Sequence, residues 1–146
     1  MSDGNNDKYV EVGIQNERYA IGIQDIHEII KVQHLTEVPN SKSYLLGVIN
    51  LRGTIVPVVS LRMRLGLSEA ASTPASRIVI VNGGGEAIGL MVDRVYQVIS
   101  IQHIEPPPER NGSAGGRLLD GIAREGGRLI SLLKLGPVLD RDNSIR

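Results

Sequence analysis

From Lys8 the chain alternates: Val10, Val12 and Ile14 fall on one side of an extended backbone and Glu11 and Gly13 on the other, which predicts a strand. Asn16-Glu17 turns the chain into a second run at 19–23. The pattern then changes. Asp25 precedes Ile26, Ile29 and Ile30, spaced at i, i+3 and i+4, and Glu28 stands three residues after it at the capping-box position. This predicts a short helix, ended at the latest by Pro39, with His27 on its polar side. Two apolar runs, 45–51 and 54–59, flank Arg52-Gly53 and predict a hairpin, with Pro57 pushing the second run toward an edge or a bulge. Ser60 is placed to cap a helix over 61–65, and Gly66 to stop it. After a loose Ser/Ala/Pro stretch at 68–76, runs at 77–81 and 87–92 flank Gly83-Gly84-Gly85 as another strand, turn and strand. Val95, Val98, Ile99 and Ile101 extend the β-rich region until Pro106-Pro107-Pro108. A mobile loop is expected at 109–116, then strands at 118–123 and 128–133 and a short helix carrying Leu135 and Leu139.

The chain echoes itself. Ala20-Ile21-Gly22-Ile23 recurs as Ala87-Ile88-Gly89-Leu90, an offset of 67 (87 − 20). A second stretch recurs at an offset of 74 (121 − 47): Gly47 with Gly121, Gly53 with Gly127, Ile55 with Leu129, Val56 with Ile130, Val58 with Leu132, Leu61 with Leu135 and Leu65 with Leu139. An insertion such as the Pro-rich segment at 106–112 accounts for the difference between the offsets. Two similar β subdomains of about half the chain each, too small to stand alone, should share one core.

Composition narrows the picture. Val and Ile dominate the apolar residues, while the 146 residues include four Tyr, no Phe and no Trp, so the core is aliphatic and strand-favouring. Sixteen Lys and Arg balance 16 Asp and Glu, which argues against a generic basic binder of nucleic acid or anionic lipid. Small barrels that bind nucleic acid stack bases on aromatic residues in a basic groove, and this chain lacks both ingredients. Without Cys there is no disulfide, thiolate nucleophile or sulfur-ligated metal. A polar N-terminus and the lack of any apolar stretch near the ~20 residues that span a bilayer lead us to expect a cytoplasmic protein with no membrane insertion. Asn111-Gly112-Ser113 formally matches a glycosylation acceptor and reads as part of the flexible loop.

No catalytic constellation emerges. His27, His34 and His103 lack metal-binding spacing, and Gly83-Gly84-Gly85-Glu86 lacks the Lys-Ser/Thr and following helix of a phosphate loop. Asp93-Arg94 and Asp140-Arg141-Asp142 read as solvated charges. Arg52, Arg62 and Arg64 make a local basic cluster, either a solvated face or a place for an acidic or polar partner. The residues point to a non-enzymatic interaction module without metal or cofactor.

The string from Gly47 to Arg62, GVINLRGTIVPVVSLR, resembles the hallmark of the CheW family, the coupling proteins of bacterial chemosensory arrays. It is joined in order by Ile26-His27-Glu28-Ile29, by the run IGLMVDRV at 88–95, by Ile104-Glu105-Pro106-Pro107-Pro108 and by Gly121-Ile122-Ala123 with Leu129-Ile130. The resemblance covers residues 8–140, leaving a disordered tail at 1–7 and a C-terminal tail at 141–146. It implies a mainly β fold of two intertwined SH3-like five-stranded β-barrels that share a hydrophobic core, with a few short helices. It also implies a non-catalytic adaptor that couples methyl-accepting chemoreceptors to the histidine kinase CheA in chemotaxis; the same adaptor could serve a pathway governing pili, biofilm or development. The receptor's cytoplasmic helical tip would enter a groove between the subdomains, and the positions that match are Ile26, Glu28, Ile29, Arg52, Val95 and Val98. The kinase regulatory domain would meet the first barrel near Gly47. For the aliphatic positions core packing remains an equal reading, for Arg52 an unpartnered hairpin-tip charge, and for Gly47, Gly53 and Gly89 a close approach of backbones. Ser60 stands where the family commonly has Asp, and either residue can cap a helix.

Overall fold

A computed structural model describes residues 7–107 and 115–140. Ten strands alternate with short helical turns: β1 (Lys8–Ile14), β2 (Glu17–Gly22), β3 (Ile26–Lys31), β4 (Leu45–Leu51), β5 (Thr54–Ser60), α1 (Leu61–Arg64), β6 (Arg77–Asn82), β7 (Ala87–Val92), β8 (Arg94–Ser100), β9 (Leu119–Glu125), β10 (Arg128–Leu133) and α2 (Leu135–Val138). They form two five-stranded sheets of matching topology, β8-β1-β2-β10-β9 and β3-β6-β7-β5-β4. Each closes on itself. Thr36, beyond β3, bridges to Val48 of β4, and Glu105, beyond β8, bridges to Ile122 of β9. We call the closed sheets barrel I and barrel II in that order.

The barrels are intertwined. The β1–β2 hairpin from the first half of the chain completes barrel I with β8, β9 and β10, while the β6–β7 hairpin completes barrel II with β3, β4 and β5. The reading of one subdomain per half of the chain is therefore corrected: each barrel takes strands from both halves, barrel II spanning residues 26–92 without a break and barrel I joining β1–β2 to β8–β10. The strand period explains the layering. Val10, Val12 and Ile14 of β1 join Val79 and Val81 of β6, Ile88, Leu90 and Val92 of β7, and Leu61, Val138 and Leu139 in a buried cluster between the barrels. Inward-facing positions fill the barrel interiors, with Ala20, Ala123, Ile130 and Leu132 in barrel I and Ile49, Val56, Val58, Ile78 and Ile80 in barrel II. A strand buried on both faces reads as an unbroken apolar run, as 78–81 does.

Turn chemistry holds where the sequence marks it. Arg52 and Gly53 both take positive φ, 51° and 87°, the turn that matches hairpin twist. Ser60 Oγ accepts from Met63 N at 3.1 Å and caps α1. Pro57, however, does not lie on an edge, because β5 runs between β7 and β4. Val48, opposite Pro57, spends its own N–H and C=O on Thr36, so the pair is not hydrogen-bonded and the missing N–H faces β7. Pairing with β7 begins one residue later, at Val58 and Gly89, so no ladder bond is lost there.

The helix expected at residues 26–30 is a strand. A single 3-10 turn at Ile23–Asp25 precedes it, Gly22 occupies its N-cap with no side-chain cap, and Glu28 caps nothing. The sequence echo is also corrected by two residues. Ala20 faces Glu11 as Gly89 faces Ile80, and Ala20 pairs with Leu132 as Gly89 pairs with Val58, so the first hairpins superpose at an offset of 69 (89 − 20). The 74-residue echo stands, since 132 − 58 gives the same figure. The tail at 1–6, most of the 109–116 loop and residues 141–146 lie outside the described residues.

Candidate docking face on the two edge strands

Strands β3 and β8 end their sheets and hold equivalent places in the two barrels. In an antiparallel pair, residues directly opposite one another share a face. Ile26 lies opposite Val81 and Val95 opposite Val12; Ile29 lies opposite Val79 and Val98 opposite Val10. All four partners belong to the cluster between the barrels. The four predicted aliphatic positions therefore turn toward the seam where the barrels meet, as two pairs related by the internal repeat. Ile26 and Val95 pack against the shared core, whereas Ile29 and Val98 stay 37% and 54% exposed. The face thus has an anchored row and a solvent-facing row, which suits burial against an apolar stripe of another molecule.

A bulge in each strand makes this possible. The register jumps between Ile26 and Glu28 on β3 and between Val95 and Gln97 on β8, leaving His27 and Tyr96 as the extra residues. Without the extra residue, i and i+3 would point to opposite faces. Bulges also distort an edge that could otherwise recruit a foreign strand.

The two charged candidates sit apart from the four aliphatics. Glu28 lies opposite Ile80, which fills the interior of barrel II, so its side chain belongs to that barrel's mouth. There it accepts a hydrogen bond from Arg52 at the tip of the β4–β5 hairpin. Arg52 is thus paired rather than an unpartnered charge, yet its side chain is 69% exposed, and a pair so open contributes at most about 1 kcal/mol. Such a pair can exchange its partner at little cost.

Gly47 is buried inside the closing bridge of barrel II. Its φ is +147°, and a Cβ built there would stand 2.5 Å from the carbonyl oxygen of Thr36. Gly121 repeats the arrangement in barrel I, where a Cβ would stand 2.8 Å from the carbonyl oxygen of Glu105. Gly47 thus shapes the surface around it rather than offering a side chain to it.

The expected Arg52/Arg62/Arg64 cluster is dispersed by the fold. Arg62, only 16% exposed, donates to Asp93 Oδ2 at 2.8 Å, and the same oxygen accepts from Gln15 N at 2.7 Å. That links α1 to the turn between β7 and β8 and to the β1–β2 turn. Arg64 donates from Nε to the carbonyl of Val138 at 2.8 Å and from Nη2 to that of Pro137 at 2.7 Å, satisfying the end of α2. Asp140 is held by Lys42 at 2.7 Å and by the Tyr44 hydroxyl. The Lys42 and Tyr44 hydrogen bonds hold its carboxyl below the ordinary carboxylate range. These long-range partners correct the reading of Asp93 and Asp140 as simply solvated; no short motif announces them.

One buried charge had no signal beyond its place in the alternation. Glu11 is 0% exposed inside barrel I, between Arg18, Arg128 and Gln97. Burial pushes its carboxyl up, but the hydrogen bonds from Gln97 and Arg18 and the charge of Arg128 outweigh it and leave the group below its ordinary value. Among the described residues no cluster of three or more His, Asp or Glu could hold a metal ion, and no helix is long and apolar enough to cross a membrane.

Two closed, strand-exchanged barrels with a partly open aliphatic seam define an interaction module. Residues 8–143 match the family model of the CheW-like domain. The chain is 36% identical to the chemotaxis protein CheW of Helicobacter pylori, covering 88% of this chain and 79% of that protein. It is 33% identical to the chemotaxis protein CheW of Bacillus subtilis, covering 94% and 90%. Among solved structures, the scaffolding protein TtCheW from Thermoanaerobacter tengcongensis superposes with a TM-score of 0.82 at 36% identity, covering 89% of this chain and 90% of that one. The chain belongs to the CheW-like family, the non-catalytic scaffolds of chemotaxis signalling.

Proposed function

We propose that the protein works in the cytoplasm as the physical link between methyl-accepting chemoreceptors and a CheA-type histidine kinase, and is recruited by them to membrane-associated arrays. The helical tip of a receptor lays an apolar stripe on Ile26, Ile29, Val95 and Val98, while Glu28 and Arg52 exchange their mutual contact for polar contacts that set its register. The kinase regulatory domain docks on barrel II near Gly47 and the β4–β5 hairpin.

The observation that carries this reading is the partly open row of aliphatics on both edge strands at the barrel seam: Ile29 and Val98 are exposed beside the packed Ile26 and Val95. An amphipathic helix presents residues at i, i+3 and i+4 to such a surface, and burial of aliphatics supplies affinity without fixing direction. Polar contacts at the margin then supply specificity.

Calorimetry with a receptor cytoplasmic fragment and, separately, the kinase regulatory domain tests it. Val98→Asp should abolish the receptor isotherm and leave the kinase isotherm intact. Equal affinity of Val98→Asp and wild type for the receptor fragment would place its site elsewhere.

A further inference from the structure

Glu11 poses a question that the docking face answers. Taking a carboxylate out of water costs several kcal/mol even after relaxation, so a buried one needs a reason. The fold itself does not supply it: Ile80 holds the matching position in barrel II, opposite Gly89 as Glu11 is opposite Ala20, and packs there as ordinary core. What Glu11 does that Ile80 cannot is gather polar side chains. Arg18 Nη1 donates to its Oε2 at 2.6 Å, Gln97 Nε2 donates to its Oε1 at 3.0 Å, and Arg128 Nη2 lies 3.4 Å from both oxygens.

Two of these connections lead to β8. Gln97 lies on that strand, directly opposite Glu11, and follows the bulge. Arg18, oriented by Glu11, stacks its guanidinium 3.8 Å from the centroid of the Tyr96 ring, and Tyr96 is the bulge residue. The ring also rests against Gly13, the cross-strand partner of Arg18, where an added Cβ would come within 2.8 Å of Tyr96 Cε2. The bulge is therefore held by contacts with the β1 backbone and Arg18 and tied from within through Gln97. Val95 stands immediately before it and Val98 two residues after it. A bulge on an edge strand interrupts the ladder on the strand's paired side, so the aim of its neighbours depends on what else holds it.

We infer that Glu11 is a positioning residue for the β8 half of the docking face, acting through Gln97 and through the Arg18–Tyr96 stack to fix where Val95 and Val98 point. The inference rests on the proposed receptor-docking role of those two residues. Being wholly buried, Glu11 cannot touch a partner, which separates positioning from contact.

The test uses Glu11→Ile, which copies the aliphatic at the matching site of barrel II, with Gln97→Ala as a second variant that removes only the tether. Binding of the receptor fragment and of the kinase regulatory domain is measured by calorimetry, and hydrogen exchange is followed at the amides of β8 and of β3. Receptor affinity should fall roughly three- to tenfold in both variants, with kinase affinity unchanged and faster exchange confined to β8. If Glu11→Ile fails to fold, Gln97→Ala decides alone. Full receptor affinity in the folded variants overturns the inference, as does equal weakening toward both partners with faster exchange everywhere, the mark of a merely structural role. Val98→Asp runs in parallel: if it too keeps full receptor affinity, the docking reading fails rather than the positioning one.

Discussion

Gly47→Ala should destabilise the protein by about 3 kcal/mol, the sum of two effects that the geometry separates. The new Cβ would stand 2.5 Å from the carbonyl oxygen of Thr36 and 3.0 Å from its carbonyl carbon, both of them backbone that no rotamer change can move aside. Relief requires parting the segment after β3 from β4. That weakens the two hydrogen bonds of the closing bridge, Thr36 N to Val48 O at 2.9 Å and Val48 N to Thr36 O at 2.8 Å. At about 1 kcal/mol each these account for about 2 kcal/mol, and a φ of +147° in a residue with a side chain adds about 1 kcal/mol or more. Gly53→Ala is the control, because it also has positive φ, +87°, but meets nothing within 4 Å, so only the strain of about 1 kcal/mol remains. Urea unfolding of the three proteins measures both figures. A loss at Gly47 no larger than that at Gly53 would refute the argument that barrel closure depends on this backbone contact. The same measurement bears on the kinase: weaker kinase binding in Gly47→Ala would follow from an opened bridge, since the glycine has no side chain to lose.

Arg64→Ala should cost about 2 kcal/mol in urea unfolding, because it removes the side-chain donor of the Val138 carbonyl and one of the two donors of the Pro137 carbonyl, which keeps Asp140 N, and Arg64→Lys should restore only part of it. Acid titration of stability should expose Glu11. Its folded carboxyl lies below the ordinary value of 4.5, so its contribution is fully present above that pH and is lost as the pH falls through the lowered folded value. Glu11→Gln should flatten that part of the acid limb, and an unchanged limb would count against the ion cluster. Arg52→Glu should shift unfolding by less than about 1 kcal/mol, its partner Glu28 being part of an open pair, while weakening receptor binding at least tenfold by calorimetry.

Most of the strand order's raw material was legible in the sequence, because period-two alternation and the turn pairs at Arg52-Gly53 and Gly83-Gly84-Gly85 are local signals. The failure at residues 26–30 has a local cause too. A bulge at His27 puts Ile26 and Ile29 on one face of a strand, a spacing of three that imitates a helical turn. The echo slipped from 69 to 67 for a related reason: a two-residue shift leaves every side chain on the same face, so hydrophobic matching cannot detect it. The exchange of hairpins between barrels, the burial of Glu11 and the partners of Arg62 and Arg64 depend on contacts between residues far apart in the chain, which no local pattern encodes. For the docking face, the six candidate positions came through family resemblance. The structure divides them into four seam aliphatics and one ion pair, and adds Tyr96 and Gln97 as the residues that hold β8.

Coupling of receptor to kinase can be measured in a reconstituted assay. Receptor cytoplasmic fragments and the kinase are mixed with and without the protein, and kinase autophosphorylation is followed. The receptor should change kinase activity only when the protein is present, and Val98→Asp, still bound to the kinase, should remove the effect. Receptor control of the kinase that is unchanged by omitting the protein, or fully supported by Val98→Asp, would contradict the proposed coupling.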